Sequence, residues 1–109
     1  MGWAALLDEA AYAHADDMAR NNYFSHTSLD GRTMADRIAA VGYAWRNIGE
    51  NIAAGYASVD AVMDGWIASP GHCANLMNPA FTEFAVACVP GGAGASYGSY
   101  WTMNLARPR

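Results

Sequence analysis

The sequence predicts a single α+β domain in which helices pack against a central antiparallel sheet. Helix-period patterns fill the first part of the 109 residues, and two strand-like segments follow near the end. The stretch between those two segments, residues 90–96, is rich in glycine and alanine, as is typical of a connection between strands. With 53% hydrophobic residues, the chain can bury one core, so residues 1–109 are expected to form one domain.

The first predicted helix runs from about Trp3 to Asn22. Its apolar face is formed by residues that recur at helical spacing: Leu7, Ala11, His14 and Met18. A lone histidine on such a face is usually a buried structural residue, and we expect this of His14.

Three shorter helices are predicted, each from its capping residues. Thr33 begins the first and Asp36 stands three residues later, as in a capping box. Ser58 caps the next helix. Ser69-Pro70 starts the last, because proline suits the first helical position, where its missing N–H had no partner.

Three segments are predicted as strands or strand-like. Residues 47–53 form a loop that enters a short strand. Phe84 to Val89 is apolar on both faces, as in a strand covered on both sides. Tyr97 to Ala106 is rich in aromatic residues and alternates, which predicts its partner strand.

Composition excludes several classes of partner. The net charge is −4 and the six Lys and Arg residues are scattered, so we expect neither a nucleic acid nor an anionic membrane as partner. No apolar run approaches the roughly 20 residues that cross a bilayer, so no transmembrane segment is expected. Residues 1–3 lead straight into a helical pattern, so no signal peptide is expected in this sequence, as in a processed chain.

Three short motifs carry side chains suited to metal binding or proton transfer. They are Ser25-His26-Thr27, Gly49-Glu50-Asn51 and Ser69-Pro70-Gly71-His72. Two imidazoles and a carboxylate can hold a divalent cation and leave a coordination position open. Zinc is the first candidate, because imidazole and oxygen ligands suit it.

Each of these residues also has a plainer interpretation. His26 could cap a local backbone carbonyl, and His72 could be a packing residue. His72 is expected in the first turn of a helix, where the dipole favours the neutral, metal-binding form of the ring. Glu50 enters a strand, where a carboxylate is costly unless it is paired, so it could be a ligand, a general base or an orienting partner of a histidine. We favour the last two roles.

The motifs resemble those of the CAP superfamily, which comprises cysteine-rich secretory proteins, antigen 5 and pathogenesis-related proteins. The segment His14–His26 resembles its first signature, and Gly49–Ile52 and Gly65–His72 continue the match in order. Asn78–Glu83 and Tyr100–Thr102 resemble its bacterial extracellular branch in particular.

The resemblance implies an α–β–α sandwich with helices on both faces of the sheet, in a secreted or cell-envelope protein. It also implies a central cleft with two histidines and acidic residues, which bind zinc or another divalent ion in some members. Carried over motif by motif, these residues are His26, Glu50 and His72. Ser69 is expected to form hydrogen bonds at the rim of this cleft.

Two departures from the family pattern lead to further expectations. Many members carry a second glutamate in the stretch that is Trp66–Ser69 here, which has no acidic residue, so Glu83 is considered as a substitute support for the cleft. Members usually begin with a further helix, which this sequence lacks or retains only as a remnant at residues 1–5. We therefore expect an exposed apolar patch, or a homodimer that covers it.

Two functions follow from the resemblance. The first is a binding module that captures a small molecule, lipid, peptide or glycan of the envelope. The alternative is a metal-dependent hydrolase, with a metal bound by His26 and His72 and with Glu50 as the general base. Several aromatic residues could line a ligand groove or simply pack in the core: Tyr43, Trp45, Tyr97, Tyr100 and Trp101.

The two cysteines permit one disulfide bridge. Cys73 and Cys88 flank the turn predicted at residues 78–83 and stand about level beyond it if the strand returns beside the helix. The sequence therefore predicts a Cys73–Cys88 disulfide, with two free thiols as the alternative.

Overall fold

The computed structural model describes residues 1–109 as four helices and one four-stranded sheet. The helices are α1 (Ala5–Asn21), α2 (Met34–Ala40), α3 (Val59–Ala68) and α4 (Pro70–Met77). The strands are β1 (Gly2–Trp3), β2 (Trp45–Ala54), β3 (Glu83–Pro90) and β4 (Ser99–Pro108). The predicted α+β class is confirmed. None of the four helices has the length and apolar character that a membrane span requires.

The strands lie in the order β1-β3-β4-β2. β4 pairs antiparallel with both β3 and β2, as expected for a central antiparallel sheet. β1 is the exception, because it pairs parallel with β3. It has only two residues, too few to give a strand pattern in the sequence. β2 is longer than predicted, and it is an edge strand of the sheet.

Helices cover both faces of the sheet, which confirms the α–β–α sandwich. On one face, α1 and α2 bury apolar residues against the strands: Leu7, Ala10, Ile38, Ala85 and Ala106 in one cluster, and Ala15, Met18, Ile52, Val89 and Tyr100 in the next. On the other face, Val62 and Trp66 of α3 pack on Ala53, Trp101, Met103 and Leu105. α4 lies beside α3 and also contacts β2.

The alternation of β2 sends neighbouring side chains into different layers. Ile52 packs with residues of α1, whereas Ala53 packs with residues of α3. By the same alternation, Glu50 faces α1 and α2, and Asn51 faces α4. An edge strand with helices above and below it can therefore bring groups from both layers to one cleft.

Side chains from α3 and α4 occupy the free edge of β2. Gly55 N donates to Ser99 O, so the odd-numbered residues of β2 hydrogen-bond to β4 and the even-numbered ones face outward. Two outward carbonyls accept side-chain bonds: Asn75 Nδ2 lies 3.2 Å from Glu50 O, and Trp66 Nε1 lies 3.1 Å from Ile52 O. Two adjacent outward positions of the β2 edge are therefore already occupied by side chains.

The predicted caps are present at α2 and α3. Thr33 and Asp36 form a capping box at α2, and Ser58 accepts a bond from Ala61 N at α3. Ser69 occupies the N-cap of α4 and Pro70 its first turn, but the Ser69 side chain makes no capping bond. That hydroxyl is bonded elsewhere, as described below.

The predicted Cys73–Cys88 disulfide is wrong, because both cysteines are free. Cys73 belongs to α4, which packs over β2, whereas Cys88 belongs to β3. β4 lies between β2 and β3, so the two strands are about 10 Å apart, beyond the ~7 Å Cα separation that a disulfide tolerates. The sequence argument failed because it placed the returning strand directly beside α4.

A short, partly exposed apolar strip runs along β1 and β3. Trp3 of β1 is 55% exposed and packs edge-on against Phe84, with 5.6 Å between ring centroids. Val86 and Cys88 continue the strip along β3, on the face that carries α3 and α4. We call these four residues the apolar strip. A homodimer that covers the strip stays a prediction.

Analytical ultracentrifugation tests the homodimer. If the strip forms the interface, the parent protein sediments as a dimer at about 100 μM, and Trp3→Glu sediments as a monomer because a charge replaces a ring at the interface. Tyr12→Glu is the matched control, since Tyr12 on α1 is 54% exposed and lies outside the strip. A monomeric parent protein would contradict the dimer.

Candidate functional site

Glu50 is a buried carboxylate at the centre of the candidate site. Glu50 is 5% exposed, and its side chain points into the layer of α1 and α2. Oε1 accepts from His26 Nδ1 at 2.9 Å, and both oxygens accept from Nη2 of Arg37, at 3.0 and 2.8 Å. Asn104 Nδ2 donates to Oε2 at 2.9 Å. Each carboxylate oxygen therefore has two protein donors.

These contacts keep Glu50 ionised. Burial raises the pKa of the carboxyl, but the hydrogen bond from His26 and the charge of Arg37 outweigh it, so the pKa lies below its ordinary value of 4.5. Arg37 is itself only 4% exposed and bonds to the Ser28 hydroxyl at 3.2 Å. The pair is a buried ion pair with additional hydrogen bonds.

His14 supports the loop that carries His26. It is fully buried, as predicted for a structural histidine, and its Nε2 lies 2.8 Å from Ser25 O and 4.0 Å from Glu50 Oε1. Since a carbonyl oxygen only accepts, Nε2 carries a proton. Burial lowers the pKa of His14, although the charge of Glu50 partly opposes this.

His26 lies on the rim of the site with its ring oriented by Glu50. Its side chain is 56% exposed, and Nδ1 is the atom that contacts the carboxylate. An ionised carboxylate accepts, so Nδ1 is the protonated nitrogen and Nε2 bonds to no protein group. The plainer interpretation, a cap on a local backbone carbonyl, does not describe this contact.

His72 reaches the site from the opposite side of β2. It stands in the first turn of α4, and its Nδ1 lies 2.9 Å from Ser69 Oγ, the hydroxyl that makes no capping bond. Asn51 donates to His72 O at 3.2 Å and accepts from Asn75 at 2.9 Å, which ties α4 to β2.

The two histidines interact electrostatically. Burial is the larger cause that lowers the pKa of His72, and the charge of His26 lowers it further. His72 is therefore neutral at pH 7, which is the form that binds metals.

Two pockets lie along β2, one near each histidine. The polar pocket has a volume of about 420 Å³ and is lined by His26, Thr27, Thr33, Met34, Ile48, Gly49, Glu50 and Asn75. The aromatic pocket has a volume of about 290 Å³ and is lined by Phe24, Ile52, Ala53, Ala54, Tyr56, Gly65, Trp66, Ser69, His72 and Tyr97. The cleft thus changes from polar to aromatic along the strand.

Not every predicted site residue joins this cleft. His26 contacts Glu50 and His72 contacts Ser69, but Glu83 lies elsewhere. Tyr43 donates to Glu83 at 2.5 Å, and β4 separates Glu83 on β3 from Glu50 on β2. No three His, Cys, Asp or Glu side chains are grouped so that they could hold a metal ion together.

Sequence reasoning missed the partners of Glu50. Arg37 follows the pattern of a solvated charge on a short helix, and nothing local marks it as buried. Asn104 could have been recognised from the sequence. It is a polar residue inside a largely apolar strand, and such a residue needs a hydrogen-bond partner when it is buried.

One family model matches almost the whole chain. The model described as "CAP: Cysteine-rich secretory protein family" matches residues 1–105. In Bacillus subtilis (strain 168), an uncharacterized membrane protein, YlbC, is 37% identical over 84 residues, or 77% of this chain. An uncharacterized protein of that strain, YkwD, is 35% identical over 99 residues, or 91% of this chain. The chain spans only 24% and 36% of their respective lengths.

Two solved structures share the fold. An extracellular protein containing a SCP domain, from Bacillus anthracis str. Ames, has a TM-score of 0.85 and 34% identity, covering 98% of this chain and 33% of its own. An outer surface protein of Borrelia burgdorferi has a TM-score of 0.88, covering 100% of this chain and 78% of its own. At 19% identity, the second shows the fold alone.

The ion pair at Glu50 gives a stability prediction. Arg37→Met should lower the free energy of unfolding by about 3–5 kcal/mol, because it leaves a buried carboxylate without its counter-charge. Arg20→Met is the control: Arg20 is 76% exposed at its side chain and pairs with Asp16 at 3.4 Å, so it should cost no more than about 0.5 kcal/mol. Urea denaturation at pH 7.5 measures both, and equal losses would contradict the prediction.

His14 gives a pH prediction. The pKa of His14 in the folded protein lies below its ordinary value of 6.5. Below pH 6.5, His14 therefore binds a proton more readily in the unfolded chain than in the folded protein. Stability is therefore lost as pH falls from 6.5 towards the folded pKa. Between pH 7.5 and 5.5 the parent should lose about 1 kcal/mol more than His14→Gln, which keeps a donor for Ser25 O. The free energy of unfolding of both proteins is measured by urea denaturation at each pH. The same pH dependence in the parent and in His14→Gln would contradict the prediction.

Proposed function

The chain belongs to the cysteine-rich secretory protein (CAP) family, and we propose that it is a secreted or cell-envelope domain that captures a ligand in a metal-binding cleft. The description of the Bacillus anthracis relative as extracellular supports this location. His26 and His72 are proposed to hold a divalent ion between them. Small molecules, lipids, peptides and glycans are the ligand classes considered.

One observation carries the metal proposal. In both histidines Nδ1 has a protein partner, Glu50 for His26 and Ser69 for His72, each at 2.9 Å. Glu50 only accepts, so it fixes the Nδ1–H tautomer of His26 and leaves its Nε2 as the coordinating nitrogen. The Ser69 hydroxyl can donate or accept, so it orients the His72 ring without fixing the tautomer. Neither Nε2 bonds to a protein group, so both nitrogens are open to an ion.

The chemistry of these donors suits zinc more than calcium or magnesium. Imidazoles are ligands that zinc and its neighbours prefer, whereas calcium and magnesium require oxygen ligands. Water or the captured ligand would complete the coordination. When bound, such an ion would polarise an oxygen atom of the ligand as a Lewis acid.

Glu50 is better suited to orientation than to proton transfer. Its oxygens accept four protein hydrogen bonds, and its lowered pKa makes it a weak base. A general base must also reach the water that it activates, and this side chain is only 1% exposed. These contacts disfavour the hydrolase alternative, so capture without hydrolysis is the proposed function.

Zinc titration by calorimetry at pH 7.5 tests the proposal. We expect micromolar binding by the parent that is lost in His72→Ala and in His26→Ala, because each removes one of two protein ligands. Ser69→Ala should weaken binding by about 10-fold, because the His72 ring loses its orienting partner.

His14→Gln is the control for this titration, since the Nε2 of His14 is already bonded to Ser25 O. Its zinc affinity should equal that of the parent. Absence of zinc binding by the parent, or unchanged binding in both alanine variants, would contradict the proposal. Lower stability in His72→Ala without zinc binding by the parent would assign the histidines a structural role instead.

A further inference from the structure

Three exposed aromatic side chains converge on the aromatic pocket from separate parts of the chain. Phe24 follows α1, Tyr56 follows β2 and Tyr97 precedes β4. They are 46%, 37% and 45% exposed, and the rings of Phe24 and Tyr97 lie 6.2 Å apart. Large apolar groups exposed together around a concave surface typically mark a binding site.

Packing holds two of these rings in place. A Cβ on Gly65 would collide with the hydroxyl end of the Tyr56 ring, so glycine at this position lets Tyr56 lie against α3. Tyr97 packs edge-on against the buried Tyr100, with 5.9 Å between centroids. The rings therefore form a preorganised platform, which lowers the entropic cost of binding.

The polar groups of the pocket are hydroxyls and one imidazole. Ser69, His72 and the hydroxyls of Tyr56 and Tyr97 are present, and no Asp, Glu, Lys or Arg lines the pocket. A volume of about 290 Å³ is at the lower end of small-molecule sites, which suits one ring and not an extended ligand.

We infer that the aromatic pocket is a subsite for one ring of a neutral saccharide. The inference rests on the proposed ligand-capturing function and names the ligand class. The C–H face of a pyranose would stack on the aromatic platform, and its hydroxyl or acetamido groups would bond to Ser69 and His72. This arrangement matches the mixed aromatic and uncharged polar lining.

The same contacts disfavour the other ligand classes. An acyl chain would bury the polar groups of the pocket without partners, which is unfavourable. An extended peptide would need the open edge of β2, where Trp66 already bonds to Ile52 O and Asn75 to Glu50 O. A saccharide ring requires neither.

The test is a titration with tri-N-acetylchitotriose, followed by backbone amide shifts in NMR spectra with a chelator present. We expect saturable shifts at residues 52–56, 65–72 and 97. Tyr97→Ala should raise the Kd at least tenfold through loss of the platform, and Tyr97→Phe should retain most of the affinity. Tyr12→Ala is the control and should bind as the parent does, because Tyr12 lies on α1 outside the pocket and is 54% exposed.

Three outcomes would overturn the inference: no saturable shift with the trisaccharide up to about 10 mM, equal affinity in Tyr97→Ala, or tighter binding of octanoate or N-acetyltyrosine amide to the same residues. Because the titration contains a chelator, its failure leaves the zinc result untouched. A zinc failure likewise leaves saccharide binding to be judged on its own.

Discussion

The buried carboxylate of Glu50 is the constraint on which the arrangement of the cleft depends. An unpaired carboxylate in this position would cost several kcal/mol. Hydrogen-bond donors from three different segments compensate this desolvation: Arg37 on α2, Asn104 on β4 and His26 in the loop after α1. One charge inside the protein therefore fixes the position of a helix, a strand and a loop relative to the edge strand.

The edge strand also places two histidines that are distant in sequence beside neighbouring pockets, the polar one at His26 and the aromatic one at His72. His26 belongs to the layer of α1 and α2, and His72 belongs to the layer of α3 and α4. Only at an edge can side chains from both layers meet without a strand between them. Asn51 and Asn75 then fix α4 against β2. One pocket is polar and the other aromatic because each helical layer contributes different residues beside β2.

The sequence predicted the fold class and the four helices, because periodicity and caps are local features. His26, Glu50 and His72 also stand in local motifs, and their role in a site stays a prediction. Arg37 could not be found in this way, since its burial depends on the charge of a residue in another element. The Cys73–Cys88 and Glu83 predictions failed for a related reason: both require the strand order, and the insertion of β4 between β2 and β3 cannot be read from spacing along the chain.

The covering of the β2 edge by Trp66 and Asn75 links solubility to helix docking. At the opposite edge of the sheet, the two-residue β1 pairs with only the first two residues of β3, Glu83 and Phe84. On β2, protection against intermolecular pairing is supplied by side chains that belong to α3 and α4 and not by the strand itself. Local opening of this helical pair would uncover the β2 edge and the apolar core beneath it together, so the protection of this edge depends on the stability of that one unit.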